Sequence, residues 1–270
     1  MPEGLLTAIT AVINALFLVG GVYVYLALVR QLRARTLPPV TEGERTFGLP
    51  EAIMALFLAA FFLWSAELSY VNAGKAEMHM TDLLATGLVS IALLLLVAAV
   101  LRLRGISVSS AAGFNRLPFW RAWMTGVILL FAAYPLIFLA DLATQKLLRT
   151  EPSKQNIVEM FSGSDTLQQR VLIIVLAVAI APVVEEFIFR FFFYGVVRRY
   201  FGRFAGLLVN ASLFAVVHAH VPSALPLFVL GCCFTLAYEW SGSILVSMTM
   251  HALFNGLTLT ALAFPDLIRP

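Results

Sequence analysis

The chain has 270 residues, 61% hydrophobic and 12% charged, with a mean hydropathy of +0.92. A water-soluble domain carries about 25% charged residues, so this composition excludes a surface built for water. The net charge of +3 is a small excess carried by loops, which excludes a nucleic-acid-binding face. Runs of about 20 apolar residues span hydrocarbon as helices, where every backbone group must be satisfied internally. The runs are continuous rather than alternating, which excludes a β-barrel. The fold class read from this is all-α: a polytopic transmembrane helix bundle of about eight spans.

The first span runs from Leu5 to Val29 and ends in Arg30, Arg33 and Arg35. No basic leader or small-residue cleavage site precedes it, so it reads as a retained span rather than a signal peptide. A polar stretch with Pro38, Pro39, Glu42, Glu44 and Arg45 follows. The second span extends from near Pro50 to Val71 and the third from Leu83 to Leu101, before a basic loop with Arg102, Arg104, Arg116 and Arg121. The fourth covers Trp123 to about Leu142, and the longest polar interval, Lys146 to Arg170, comes next. The fifth, Val171 to Val197, contains Glu185, Glu186 and Arg190 and closes at Arg198, Arg199 and Arg203. The sixth is Phe204–Ala219, the seventh Leu225–Trp240 and the eighth Ile244–Phe264. The positive-inside rule places the loops after the first, third and fifth spans in the cytoplasm and both termini opposite. Residues 1–150 carry no recognised signature, and 168–262 hold the informative core.

Ionisable groups within spans are costly and mark functional sites by default. Glu185 and Glu186 are adjacent in a low dielectric, and Arg190, four residues after Glu186, is placed to compensate one of them. His218 shares a helix face with Phe214, whose ring can wall one side of the imidazole. His251 and Asn255, also four apart, share a face of the eighth span. At ~1.5 Å per residue, Glu185 lies about 20 Å from Arg198 and His218 about 21 Å from Phe204. Asn255 at about 16 Å and His251 at about 10 Å from Ile244 come out shallower. Glu67 and Asp141 read as span-end residues, Glu239 as an interfacial belt position, and Asn14 and Asn210 as interhelical hydrogen-bond partners. Cys232 and Cys233 read as small packing residues; adjacent in the chain, they are poorly placed to bridge each other.

Hydrolysis of an amide requires an activated water, a proton donor for the leaving amine and donors to the tetrahedral oxyanion. A carboxylate and a His can activate the water; a second His and an Asn carboxamide can bind the oxyanion. No Ser or Cys with a positioned base stands out, Ser247 included. Zinc held by His218 and His251 with a Glu is the competing chemistry, although no His-Glu-x-x-His helix is present.

At these residues the sequence resembles the CAAX protease and bacteriocin-processing (CPBP) family of intramembrane peptidases. The match is to Glu-Glu-x-x-x-Arg at 185–190, Phe-x-x-x-His at 214–218 and His-x-x-x-Asn at 251–255. The resemblance implies an eight-helix membrane fold with a cavity open to one side and laterally to lipid. It also implies cleavage of peptides, prenylated C-terminal ones or small secreted ones, by a cofactor-free reaction. Carried over, Glu185 and His218 activate water, His251 and Asn255 bind the oxyanion, and Glu186 and Arg190 support them. One departure is Phe191, where many members have Gly; the ring is expected to alter helix packing or narrow the cavity. A non-enzymatic scaffold that sequesters a partner protein, and a proton-coupled transporter using the Glu pair, are the readings from other classes. No repeat symmetry supports the transporter. The implied setting is the lipid bilayer, and a compact chain of this kind suits a bacterial inner membrane.

Overall fold

The computed structural model describes residues 3–35, 47–72, 79–148, 156–164 and 166–264, all helix or connecting turn. The polar stretch from Pro38 to Arg45 and the residues Arg149 to Lys154 lie outside these. The helices are α1 (Glu3–Ala34), α2 (Leu49–Asn72), α3 (Met80–Leu103), the short α4 (Val108–Ala111), α5 (Phe119–Leu148) and α6 (Asn156–Ser162). A broken helical run α7 (Leu167–Val217), then α8 (Ala224–Ser241) and α9 (Ile244–Ala263), complete the bundle. Among the described residues, seven helices are long and apolar enough to cross a membrane, and the chain is an integral, multi-pass membrane protein.

Seven rather than eight spans are counted because the expected fifth and sixth are one helical run of 51 residues. Gly202 breaks that run at φ 82°, ψ 173°, a backbone region open essentially to glycine alone. The chain reverses there. A Cβ on Gly206 would meet the Arg198 backbone nitrogen at 3.1 Å, and the rings of Phe189 and Phe214, far apart along the run, lie 5.5 Å apart. The two limbs therefore pack as a hairpin and occupy the places of two spans.

α5 packs against α1, α8 and α9 at the centre, and α8 lies along α7. One hydrophobic cluster joins residues from Tyr25 to Met250. Tyr25 on α1 donates its hydroxyl to the Leu129 carbonyl on α5 at 2.9 Å. Asn210 donates its amide to Thr235 Oγ1 at 3.0 Å, the interhelical bond expected of it. Asn14, by contrast, faces outward from α1. The outer faces carry large apolar side chains such as Phe57, Leu56 and Leu88, as contact with lipid requires.

Most of the arginines gather at one end. Arg203 Nη1 donates to the carbonyls of Leu32 and Arg35 at 2.7 and 2.8 Å, and Arg35 Nη1 donates to Trp240 O at 2.8 Å. Arg198 and Arg203 both pair with Glu239, which is thus an ion-pair anchor rather than a belt residue. Glu51, fully buried, accepts from Arg104 Nε at 3.0 Å, a pairing that no sequence spacing announced. Ile244 N donates to Ala112 O at 3.1 Å, and Gly113 approaches Gly242 so closely that a Cβ would sit 1.9 Å from its carbonyl oxygen. These contacts bring the ends of α1, α3 and α8, the turn of α7 and the starts of α2 and α9 to one face.

Replacing Gly202 by Ala is expected to destabilise the hairpin by about 1–3 kcal/mol, because the backbone would hold a side chain at positive φ. Thermal unfolding in detergent should show a lowered midpoint for Gly202→Ala and none for Gly20→Ala, whose Cβ meets nothing within 4 Å.

Candidate active site

The first limb of α7 starts on a reciprocal cap, with Gln169 N donating to Thr166 Oγ1 and Thr166 N donating to Gln169 Oε1. Two stretches of the limb, Val175–Ile180 and Glu186–Phe193, are wound as π-helix. Such wide turns are frequent at functional sites. The cause of the first is legible. Ala181 N donates to Leu176 O, five residues back, and Pro182, next in line for the Ala177 carbonyl, has no N–H. The Ala177 carbonyl is left without a helical donor, and Asn255 Nδ2 on α9 supplies one at 2.8 Å. One donor of Asn255 is therefore committed to stitching α9 to α7, and its second N–H and carbonyl oxygen remain.

The two glutamates part company at the second π-turn. Glu186 is fully buried and pairs with Arg190 Nη1 at 3.0 Å. Its Oε1 also accepts from His251 Nδ1 at 2.9 Å. Arg190 is buried too, with its guanidinium 4.1 Å from the Phe214 ring centroid and 5.1 Å from that of Phe234. Glu185 instead keeps 28% of its side chain exposed and sets Oε2 3.8 Å from His251 Nε2. Because Nδ1 of His251 is bonded to Glu186, the ring is oriented with Nε2 toward Glu185.

His218 caps the second limb of α7. Its Nδ1 lies 2.7 Å from the Phe214 carbonyl oxygen, so Nδ1 carries the hydrogen and Nε2 is left with its lone pair. The Phe214 ring meets the imidazole edge-on at 4.7 Å, as the shared helix face foretold. Phe214 thus separates Arg190 from His218, a role its place in the motif did not reveal.

Glu185, His218, His251 and Asn255 line one cavity of about 370 Å³, with Phe214, Leu230 and Phe254 among its walls. Glu186 and Arg190 sit behind His251. His251 is not shallower than the other residues, contrary to the linear count. The count took Ile244 as the membrane boundary, whereas Ser243 and Ile244 are fully buried beneath the Gly242 turn, so α9 begins inside the protein. The direct contacts tie the glutamates to His251, and His218 joins them across the cavity. Phe191 packs on Phe187 and Phe47 at 5.2 and 5.6 Å and is no part of the cavity wall. The ring does not narrow the cavity, contrary to one of the two expectations for it. α8 contributes Leu227 and Leu230 to the wall and Phe234 against His251 at 5.1 Å. Ser247 is buried and donates to Ile244 O at 3.2 Å. Pro182 was the overlooked signal, since a proline three residues before the glutamates marks a disturbed helix.

Removing one member of a buried pair strands the other charge, at about 3–5 kcal/mol. Glu186→Gln and Arg190→Met should each lower the unfolding midpoint in detergent, and the double variant should recover part of the loss. Glu185→Gln, at the cavity surface, should leave it close to the parent.

Neither a curated protein nor a solved structure is significantly similar to the chain. Residues 167–257, which hold all six site residues, match the family model described as type II CAAX prenyl endopeptidase Rce1-like. This stretch, from the first residue of α7 into the second half of α9, is similar to that endopeptidase domain, which is consistent with the CPBP family.

Proposed function

We propose that the chain is an intramembrane endopeptidase that hydrolyses a peptide bond with water activated by Glu185 and His218. The observation that carries this reading is the division of labour between adjacent glutamates. Glu186 is consumed by Arg190 and His251, while Glu185 faces a cavity shared with His218, His251 and Asn255. A water held between the Glu185 carboxylate and His218 Nε2 gives up a proton as its oxygen attacks the scissile carbonyl. The developing oxyanion takes hydrogen bonds from the free N–H of Asn255 and from His251 Nε2–H when that nitrogen carries a proton. Glu186 accepts from Nδ1–H and so holds the ring in place through the cycle. The proton first taken from water passes to the leaving amine.

The reaction as written needs no metal. Zinc is the competing chemistry, because Glu185, His218 and His251 line the same cavity and the bond from His251 Nδ1 to Glu186 leaves its Nε2 as a ligating nitrogen. A catalytic zinc takes three protein ligands as a rule.

Mass spectrometry of membrane peptides should reveal products in cells with the wild type that disappear with Glu185→Ala or His218→Ala. A loss of about 10²-fold or more is expected for each, and about 10²-fold for Asn255→Ala. An identical peptide inventory for wild type and Glu185→Ala would sink the peptidase reading. Prolonged treatment with a strong chelator should leave the wild-type products unchanged; loss with chelator and recovery on adding zinc would replace this mechanism with a metal-dependent one.

A further inference from the structure

A second hollow lies beside the turn of α7, at the arginine-rich end. α1 and the second limb of α7 both pack against α8, and a groove of about 320 Å³ runs between them over Leu236 of α8. Thr235 and Ala237 on either side of Leu236 are fully buried, whereas Leu236 is partly exposed. Leu32 and Arg33 form the α1 wall, and Phe204 and Leu207 the α7 wall. Arg203 and Glu239 close one end. The groove shares no lining residue with the cavity around Glu185.

Its walls are apolar and its rim is cationic. The Arg33 guanidinium stands 5.0 Å from the centroid of the Phe204 ring, a cation–π distance that keeps the charge at the rim. Arg203 is fixed by its bonds to the Leu32 and Arg35 carbonyls and by Glu239, whose Oε1 lies 2.9 Å from its Nε. Arg30, three residues before Arg33, and Arg199, four before Arg203, are exposed at the same end. Glu239, the carboxylate of the rim, is held by both Arg198 and Arg203.

A guanidinium fork matches a phosphate group, and basic pockets between membrane helices take anionic head groups. A free phosphate would use the rim and leave the apolar walls unfilled. A zwitterionic lipid would bring its own cation beside Arg33. We infer that the groove binds an anionic glycerophospholipid, with its phosphate at Arg33 and Arg203 and its acyl stem against Leu32, Leu207 and Leu236. The walls extend over about one helical turn, ~5 Å, which suits the glycerol and the first methylenes. The rest of each chain stays in the surrounding bilayer. So seated, the lipid joins α1 and α8 to the residues just past Gly202 and braces the reversal of α7.

The test follows unfolding of the purified full-length protein in a mild nonionic detergent. Dioleoylphosphatidylglycerol, dioleoylphosphatidylcholine or inorganic phosphate is titrated in, and native mass spectrometry of the same samples reports retained lipid. The midpoint should rise saturably with phosphatidylglycerol and stay unchanged with the other two. Arg33→Gln should require about fivefold more phosphatidylglycerol for half the rise. Leu236→Trp, which fills the groove, should abolish the rise and the retained lipid; Arg33→Glu serves the same purpose if that variant fails to fold. Arg102→Gln, exposed on α3 and outside the groove, should respond as the parent does. An equal rise with phosphatidylcholine overturns the inference, as does a rise with phosphate alone. A phosphatidylglycerol response that survives both Arg33 substitutions also overturns it. No arm reads peptide cleavage, so failure here leaves the peptidase reading untouched.

Discussion

The ion pair between Glu186 and Arg190, closed off from solvent and flanked by the rings of Phe214 and Phe234, is the interaction on which the site depends. Two charges in a hydrocarbon-like interior are tolerable only together, and each constrains more than its partner. Arg190 lies under the ring of Phe214, which fixes the second limb of α7 against the first and sets His218 at the cavity edge. Glu186 reaches across to His251 and so fixes the rotation of α9, which in turn places Asn255 beside the Ala177 carbonyl. Three helical segments are registered by one buried charge pair and two hydrogen bonds.

The adjacent Glu185 illustrates how a helix can give neighbouring identical residues opposite environments. A side chain one position along a helix points roughly 100° away, so one carboxylate turns into the protein and its neighbour into the cavity. The π-wound turns on either side widen the helix at this point, and the first of them traces to Pro182. Removing a backbone donor in the membrane leaves a carbonyl that a neighbouring helix must satisfy. Asn255 does so, and the same carboxamide lines the cavity. The repair of the local defect and the proposed oxyanion site thus share one residue, Asn255.

The chain resolves the conflict between apolar solvent and polar chemistry by segregation. Arginines that cannot enter hydrocarbon collect at one face, where Glu51 and Glu239 anchor them. A floor of phenylalanines separates that face from Glu185, His218, His251 and Asn255, and the cavity begins above the floor. The sidedness of the molecule follows from this order along the bundle axis rather than from any single residue.

The composition and the apolar runs alone determined that this is an all-helical membrane protein, because hydrocarbon leaves the backbone no other way to satisfy its hydrogen bonds. Four-residue spacings likewise sufficed to pair Glu186 with Arg190 and Phe214 with His218, since such pairs share a face of one helix whatever surrounds it. Contacts between helices were decided only by the tertiary structure. The count of residues from Ile244 put His251 too shallow because nothing local reveals that α9 starts beneath a buried turn. Glu239 looked interfacial because its partners, Arg198 and Arg203, lie in a different segment. The separation of Glu185 from Glu186 was not legible either: identical adjacent side chains differ only in what the folded bundle sets opposite each, here a guanidinium for one and an open cavity for the other.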